Sequence, residues 1–306
     1  MIDVENLVVR YGESVAVDGV SFCARPGELF GLLGPNGAGK SSTIACLAGL
    51  RRPSGGRVRV LGRALDAEAR AGLGVVPQEL ALYTDLSARA NLAFWGEAWG
   101  LSGARLHARV EAVLEAVGLA DRADEKVERF SGGMQRRLNF GCGIVHEPRV
   151  LLLDEPTVGV DPQSRVRLLE LVREQAAAGV CVLYTTHYME EAEELCDRLA
   201  ILDHGKLLAE GTLDELRARL GGRDVLRLAG RFDAPRVRER LAREAELEVV
   251  QADAETLLLA ADQGSRRLPA LFGALAEVGA EVRETTLTRP SLESLFIQLT
   301  GKELRE

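Results

Sequence analysis

The chain has 306 residues, 46% of them hydrophobic, and 38 Lys and Arg against 46 Asp and Glu give a formal net charge of -8. That composition excludes collagen-like, disordered and disulfide-scaffold chains, and the sign excludes a protein whose whole surface grips nucleic-acid phosphates. At about 150 residues per domain, the length predicts two domains.

No run approaches the ~18 consecutive apolar residues of a membrane-spanning helix. The opening MIDVENLVVRYGE carries Asp3 and Glu5 where a secretory signal needs a basic end and an apolar block, so the chain is expected to stay in the cytoplasm. Cys23, Cys46, Cys142, Cys181 and Cys196 form no CxxC pair and read as reduced, mostly buried small residues. His107, His146, His187 and His204 show no HExxH spacing, which gives little support to a protein-held transition metal.

From Val4 to about Leu220, short apolar runs alternate with amphipathic stretches, predicting a layered α/β domain around a sheet. The blocks Leu29–Leu33, Gly74–Val76, Val150–Leu153 and Val180–Tyr184 alternate little, as strands covered on both faces do. Between the second and third, Leu80 to about Arg129 repeats apolar residues at three and four, predicting a helical insertion. A helix is predicted over Met189–Leu199, then a hairpin in which Leu199–Asp203 and Lys206–Ala209 flank His204-Gly205. Thr212 and Glu215 spell a capping box opening a short helix that runs out at Gly221-Gly222, where the domain boundary is placed.

Beyond it the order is strand Asp224–Leu228, helix Arg236–Ala245, strands Leu247–Gln251 and Thr256–Ala260, helix Arg267–Val278 and strand Glu281–Leu287. This βαββαβ order predicts a small α+β ferredoxin-like module over 223–306, closed by a helix Ser291–Leu299 announced by Pro290-Ser291. An RNA-binding version would need stacking aromatics on its central strands, and Thr256–Ala260 has none. The module is expected to be a dimer-contacting or regulatory appendage, whose deletion alters assembly or coupling and leaves the chemistry of the first domain in place.

Three motifs carry chemistry. Gly34-Pro35-Asn36-Gly37-Ala38-Gly39-Lys40-Ser41 fits GxxxxGK[ST] after a strand and before the helical Ser42–Leu50. Backbone N–H groups of such a loop point at phosphate oxygens, Lys40 adds a cation and the Ser41 hydroxyl ligates Mg²⁺. Leu151-Leu152-Leu153-Asp154-Glu155 ends a buried strand in two carboxylates, with Asp154 suited to Mg²⁺ and Glu155 to polarising a water in line with the γ-phosphate. Alone, such a pair is more often a solvated strand end; the phosphate loop upstream reverses that. Ser131-Gly132-Gly133 opens a helix at a natural N-cap with no capping-box partner, leaving N–H groups for an outside anion or, more blandly, an ordinary helix start.

These motifs occur in one order with Gln78 after Val75-Val76-Pro77, Gly159-Val160-Asp161-Pro162 and Thr185-Thr186-His187. Over residues 2 to about 220 the chain resembles the nucleotide-binding subunit of the ATP-binding cassette (ABC) transporter family. The runs Glu128–Leu138 and Ser291–Gly301 resemble the exporter ATPases of the daunorubicin-resistance and nodulation type. Phe130 and Met134 depart from the commonest LSGGQ wording, while Ser131, Gly132 and Gly133 are intact.

The resemblance implies a P-loop NTPase cassette over 1–220, a central sheet with a helical subdomain at about 80–145. It implies ATP and Mg²⁺ as cofactors, hydrolysis at the cytoplasmic face of the membrane, and two kinds of partner. One is a second copy, closing head to tail so that each ATP lies between Gly34, Asn36, Gly37, Ala38, Gly39, Lys40, Ser41 and Ser42 of one chain and Ser131–Gly133 of the other. The other is a set of separate transmembrane permease subunits; no nucleic acid is expected. His187, by itself an ordinary loop histidine, would touch the γ-phosphate and help hold Glu155; Gln78 would sit near Mg²⁺; Asp161 would cross the dimer interface. Tyr11 would stack on adenine, or be an edge aromatic. Trp95 and Trp99, with Phe94 and Tyr83, read as core, or as the groove for a helix of the membrane subunit. A soluble cassette acting on ribosomes or DNA, and a small-molecule kinase, are the competing readings.

Overall fold

The computed structural model describes residues 1–219, 223–244, 247–288 and 291–300. Gly221-Gly222, Ala245, Pro290 and Gly301, which enter the sequence reading, lie outside them. The chain divides into two compact units, Met1–Glu210 and Gly211–Glu306.

In the first unit, β1 (Ile2–Tyr11) and β2 (Ser14–Ala24) pair antiparallel, and β4 (Gly55–Val60) joins the other side of β1. This three-stranded sheet was not among the predicted strands, because its half-exposed residues give no compact apolar block. A second sheet has the order β5-β6-β7-β3-β8-β9, built from β3 (Leu29–Leu33), β5 (Leu73–Val76), β6 (Val150–Asp154), β7 (Cys181–Thr186), β8 (Arg198–Asp203) and β9 (Lys206–Thr212). Strands β5, β6, β7, β3 and β8 run parallel.

The five residues of β6 are all buried, but they serve two cores. Leu151 and Leu153 pack with helices α3 (Ala88–Ala98), α4 (Gly103–Ala116), α5 (Gly132–Ile144) and α6 (Pro162–Ala177), whereas Val150 and Leu152 pack with α1 (Lys40–Leu47) and the first sheet. Covering both faces removes the alternation that a half-exposed strand would show. Each fully buried leucine there contributes roughly 2 kcal/mol of apolar transfer.

The helix predicted over Met189–Leu199 is shorter: α7 covers Met189–Leu195. Cys196 is extended, and by Arg198 the chain has joined β3, so apolar Leu199 belongs to a buried strand and not to the helix face. His204 and Gly205 both have positive φ, the backbone of the two-residue hairpin turn predicted there.

In the second unit, α8 (Leu213–Arg219) is opened by the reciprocal bonds Thr212 N–H to Glu215 Oε2 (2.8 Å) and Glu215 N–H to Thr212 Oγ1 (3.2 Å). Because α8 packs against α11 (Leu292–Thr300), the division falls before it, at Glu210/Gly211. The strands β10 (Asp224–Arg231), β11 (Leu247–Ala252), β12 (Thr256–Ala261) and β13 (Glu281–Thr288) form a sheet of order β11-β12-β10-β13. Helices α9 (Ala234–Leu241) and α10 (Gly264–Glu277) pack on one face, and Ile297 of α11 meets Val225 and Leu258 on the other. This is the ferredoxin-like βαββαβ order with an added helix.

Candidate nucleotide-binding site

The C-terminal ends of β3, β5, β6 and β7 lie along one edge of the six-stranded sheet, where an open parallel sheet places its ligand. β3 feeds residues 34–39 into α1. Gly39 has φ +103°, and a Cβ there would stand 2.5 Å from the Ala16 carbonyl oxygen, so only glycine turns into α1 this close to β2. Lys40 folds back over the loop: Nζ donates to the carbonyls of Gly34 (2.7 Å) and Pro35 (3.1 Å). Asn36, Gly37, Gly39, Lys40, Ser41, Ser42, Gln78 and Glu155, with Ala16, line a cavity of about 270 Å³; Ala38 is buried beneath it. A larger cavity of about 460 Å³ lies at the opposite edge, where Pro26, Arg149 and Gly179 precede β3, β6 and β7. It holds none of the motif residues, so size alone does not locate the site.

Asp154 closes β6, and its Oδ1 accepts from Ser41 Oγ (3.1 Å) and Thr185 Oγ1 (2.8 Å). Both described bonds land on Oδ1, which leaves Oδ2 for another partner. Serine hydroxyl, carboxylate and the Gln78 amide are all hard oxygen donors, the set Mg²⁺ selects. The next residue, Glu155, has φ +45°, a costly conformation for a side chain of this size. Its N–H donates to the same Thr185 Oγ1 (3.0 Å), which fixes it there. The residue is 4% exposed and its carboxylate is held at both ends, Oε1 by Lys40 Nζ at 2.9 Å and Oε2 by His187 Nδ1 at 3.2 Å. Since a carboxylate only accepts, His187 Nδ1 carries the hydrogen. Thr185 therefore positions both acids; the sequence places it in the Thr185-Thr186-His187 motif but gives it no role, since its partners are about 30 residues away, and Ala16 is in no motif.

Ser131, Gly132, Gly133 and Asp161 do not line this cavity. Ser131 caps α5, its Oγ accepting from Met134 N–H (3.3 Å), and Asp161 caps α6, accepting from Ser164 N–H (3.0 Å). That bond, first among several, holds the Asp161 carboxyl below its ordinary pKa. The two helix starts touch: a Cβ on Gly133 would lie 2.1 Å from Ser164 Oγ and 2.8 Å from Asp161 Oδ2. Arg136, also unforeseen, donates to the Gln78 carbonyl and to the Val158 carbonyl (3.1 Å), joining the glutamine loop to the segment before Asp161. Tyr11 reaches the site only through its hydroxyl, 3.4 Å from Ser42 Oγ, and carries the Arg51 guanidinium 3.7 Å above its ring.

The ABC transporter family matches residues 17–158, and the family of DrrA1-3-like ATP-binding protein C-terminal domains matches residues 211–300. The linearmycin resistance ATP-binding protein LnrL of Bacillus subtilis is 42% identical over the full length of both chains. The chain belongs to the ATP-binding subunits of ABC transporters. The Nod factor export ATP-binding protein I of Ralstonia nicotianae is 41% identical over 100% of this chain and 95% of its own. The daunorubicin/doxorubicin resistance ATP-binding protein DrrA of Streptomyces peucetius is 40% identical over 98% and 92%. A solved ATP-binding subunit of an ABC transporter superposes with a TM-score of 0.67 at 34% identity, over 72% of this chain and 93% of that one. This ABC subunit thus binds and hydrolyses ATP for a transporter, and no helix among its described residues is long and apolar enough to cross a membrane.

The tryptophan pair of the cassette's helical region splits in two. Trp95 is half-buried against the core and donates from Nε1 to the Ala81 carbonyl (3.2 Å), whereas Trp99 is exposed and stacks on His146. Tyr83 and Phe94 are exposed too and meet edge to face.

Proposed function

We propose that this subunit drives export by closing on a second copy around two ATP molecules, at the cytoplasmic face of a membrane that holds separate permease subunits. The first unit, Met1–Glu210, is the motor and the second, Gly211–Glu306, a dimer-contacting or regulatory module. The observation that carries the reading is Glu155, clamped between Lys40 and His187 on the cavity lined by the phosphate loop.

The α1 N-terminus and the N–H groups of residues 36–42 receive the β- and γ-phosphates. Lys40, whose ammonium reaches Glu155 and two loop carbonyls, is placed to pair with phosphate oxygen, and Glu155 Oε1 is placed to accept a hydrogen bond from water. His187 keeps hold of Oε2 and so fixes the direction in which that water is polarised. Ser41, Asp154 and Gln78 would hold Mg²⁺, which neutralises phosphate charge. Ser131, Gly132 and Gly133 offer N–H groups to the partner's γ-phosphate, with Asp161 beside them. The γ-phosphate thereby favours the closed pair, and its loss favours opening. Tyr11 gives the base a surface already braced by Arg51. The exposed Tyr83, Phe94 and Trp99 suit a permease helix. The relatives' names point to drug-like or Nod-factor cargo, and the permease selects it.

Glu155→Gln tests this: it should bind ATP, hydrolyse it very slowly and accumulate as a dimer in light scattering. A protein that stays monomeric at saturating ATP refutes the reading.

A further inference from the structure

Glu191 lies in the first turn of α7 and is fully buried, yet it does not line the nucleotide cavity. A buried carboxylate is costly unless every oxygen is paired. Here Oε2 accepts from Tyr184 Oη (2.7 Å) and Thr186 Oγ1 (2.8 Å), while Oε1 makes no hydrogen bond and is held by charge alone, 2.7 Å from Arg165 Nε.

The three partners lie on two elements, Tyr184 and Thr186 on β7 and Arg165 on α6. Thr186 precedes His187, and its hydroxyl also accepts from Tyr188 N–H (2.9 Å), so it brackets the histidine. Tyr184 Oη is 3.4 Å from Thr157 Oγ1, two residues past Glu155. Burial, reinforced by Glu191, pushes the Tyr184 phenol pKa up and keeps it a donor. Arg165 stands one turn into α6, its N–H bonded to the Asp161 carbonyl (2.9 Å), and its guanidinium lies over the Tyr188 ring. The start of α6 in turn touches Gly133. Stability alone would be served as well by apolar residues of equal volume, whereas hydrogen bonds to β7 and an ion pair to α6 fix the relative positions of the two elements.

We propose that Glu191 is a positioning residue that locks His187, which serves the chain's own nucleotide, to the Asp161–Gly133 surface, which faces the partner's. This rests on the roles given above to His187, Asp161 and Gly133. Through it, a shift of the α6 start on dimer closure reaches His187, and with it the Oε2 end of Glu155.

The test uses the full chain with MgATP. Glu191→Gln keeps the shape and removes the charge paired with Arg165. Turnover should fall roughly tenfold, while ATP affinity, measured by displacement of a fluorescent ATP analogue, stays within about twofold. Adding Arg165→Gln should lower turnover no further, because both substitutions cut one link. Wild-type turnover in Glu191→Gln, an equal loss of affinity and turnover, or multiplying effects in the double variant would each overturn the proposal. Should Glu191→Gln fail to fold, Arg165→Gln, whose side chain is 34% exposed, carries the same expectation and the same refutation. Glu155→Gln run in parallel separates the two levels: normal hydrolysis there sinks the site reading, whereas an inactive Glu155→Gln beside a normal Glu191→Gln sinks only the role of Glu191.

Discussion

Thr185→Val removes one hydroxyl and little volume, from a residue that is fully buried. Two bonds go with it. The donor to Asp154 Oδ1 (2.8 Å) is a hydrogen bond to a charged group, about 1.5–3 kcal/mol. The acceptor for Glu155 N–H (3.0 Å) leaves a buried donor unsatisfied, about 1–3 kcal/mol. Together they come to about 4 kcal/mol, a large share of the roughly 5–15 kcal/mol that holds a domain folded. With a urea slope of about 3 kcal/mol/M, the midpoint should drop by about 1.3 M. Thr185→Ser keeps both bonds and loses one methyl, about 1 kcal/mol, or about 0.3 M. Trp95 and Trp99, the chain's two tryptophans, both lie in the first unit, so their fluorescence follows the unfolding of that unit. Hydrolysis should suffer as well, since Glu155 loses the contact that holds its strained backbone; a displacement of about 1 Å costs about a hundredfold in turnover. A Thr185→Val protein as stable and active as Thr185→Ser would refute the assignment of Thr185 as the support of both acids.

Lys40→Met should weaken ATP binding at least tenfold by equilibrium dialysis, and it also leaves buried Glu155 without its cationic partner; undiminished affinity would remove Lys40 from the phosphate site. His146 is buried, its Nε2 bonded to the Leu73 carbonyl (3.1 Å), and burial lowers its pKa below 6.5. The unfolded chain then takes the proton first, so stability is full above pH 6.5 and falls as pH drops below it. Urea midpoints between pH 7.5 and 5 should show that fall, and His146→Phe should flatten it; equal slopes in the two proteins would contradict a neutral buried imidazole.

Much of this was legible where neighbours in sequence do the work. The phosphate loop is one contiguous turn between a strand and a helix, so its spacing states its backbone path. The βαββαβ module was legible because apolar periodicity is local, and α9, α10 and their strands are each one contiguous run. The antiparallel sheet β1, β2 and β4 was not, since its pairing joins Ile2 to Val60 across the whole phosphate loop. The end of α7 was not either, because what stops the helix is β3 claiming Leu199 as a strand partner.

The amino-acid order by itself determined the family, the phosphate loop and the identity of the two acids, because each motif is a contiguous run and the motifs follow one another in a fixed order. Only the tertiary structure decided that Lys40, Glu155 and His187 form one clamp, that Thr185 carries both acids and that buried Glu191 ties β7 to α6. Those contacts span 5 to 115 residues. They exist because parallel pairing brings the ends of β3, β6 and β7 side by side, an arrangement set by burial of both sheet faces and by no local preference.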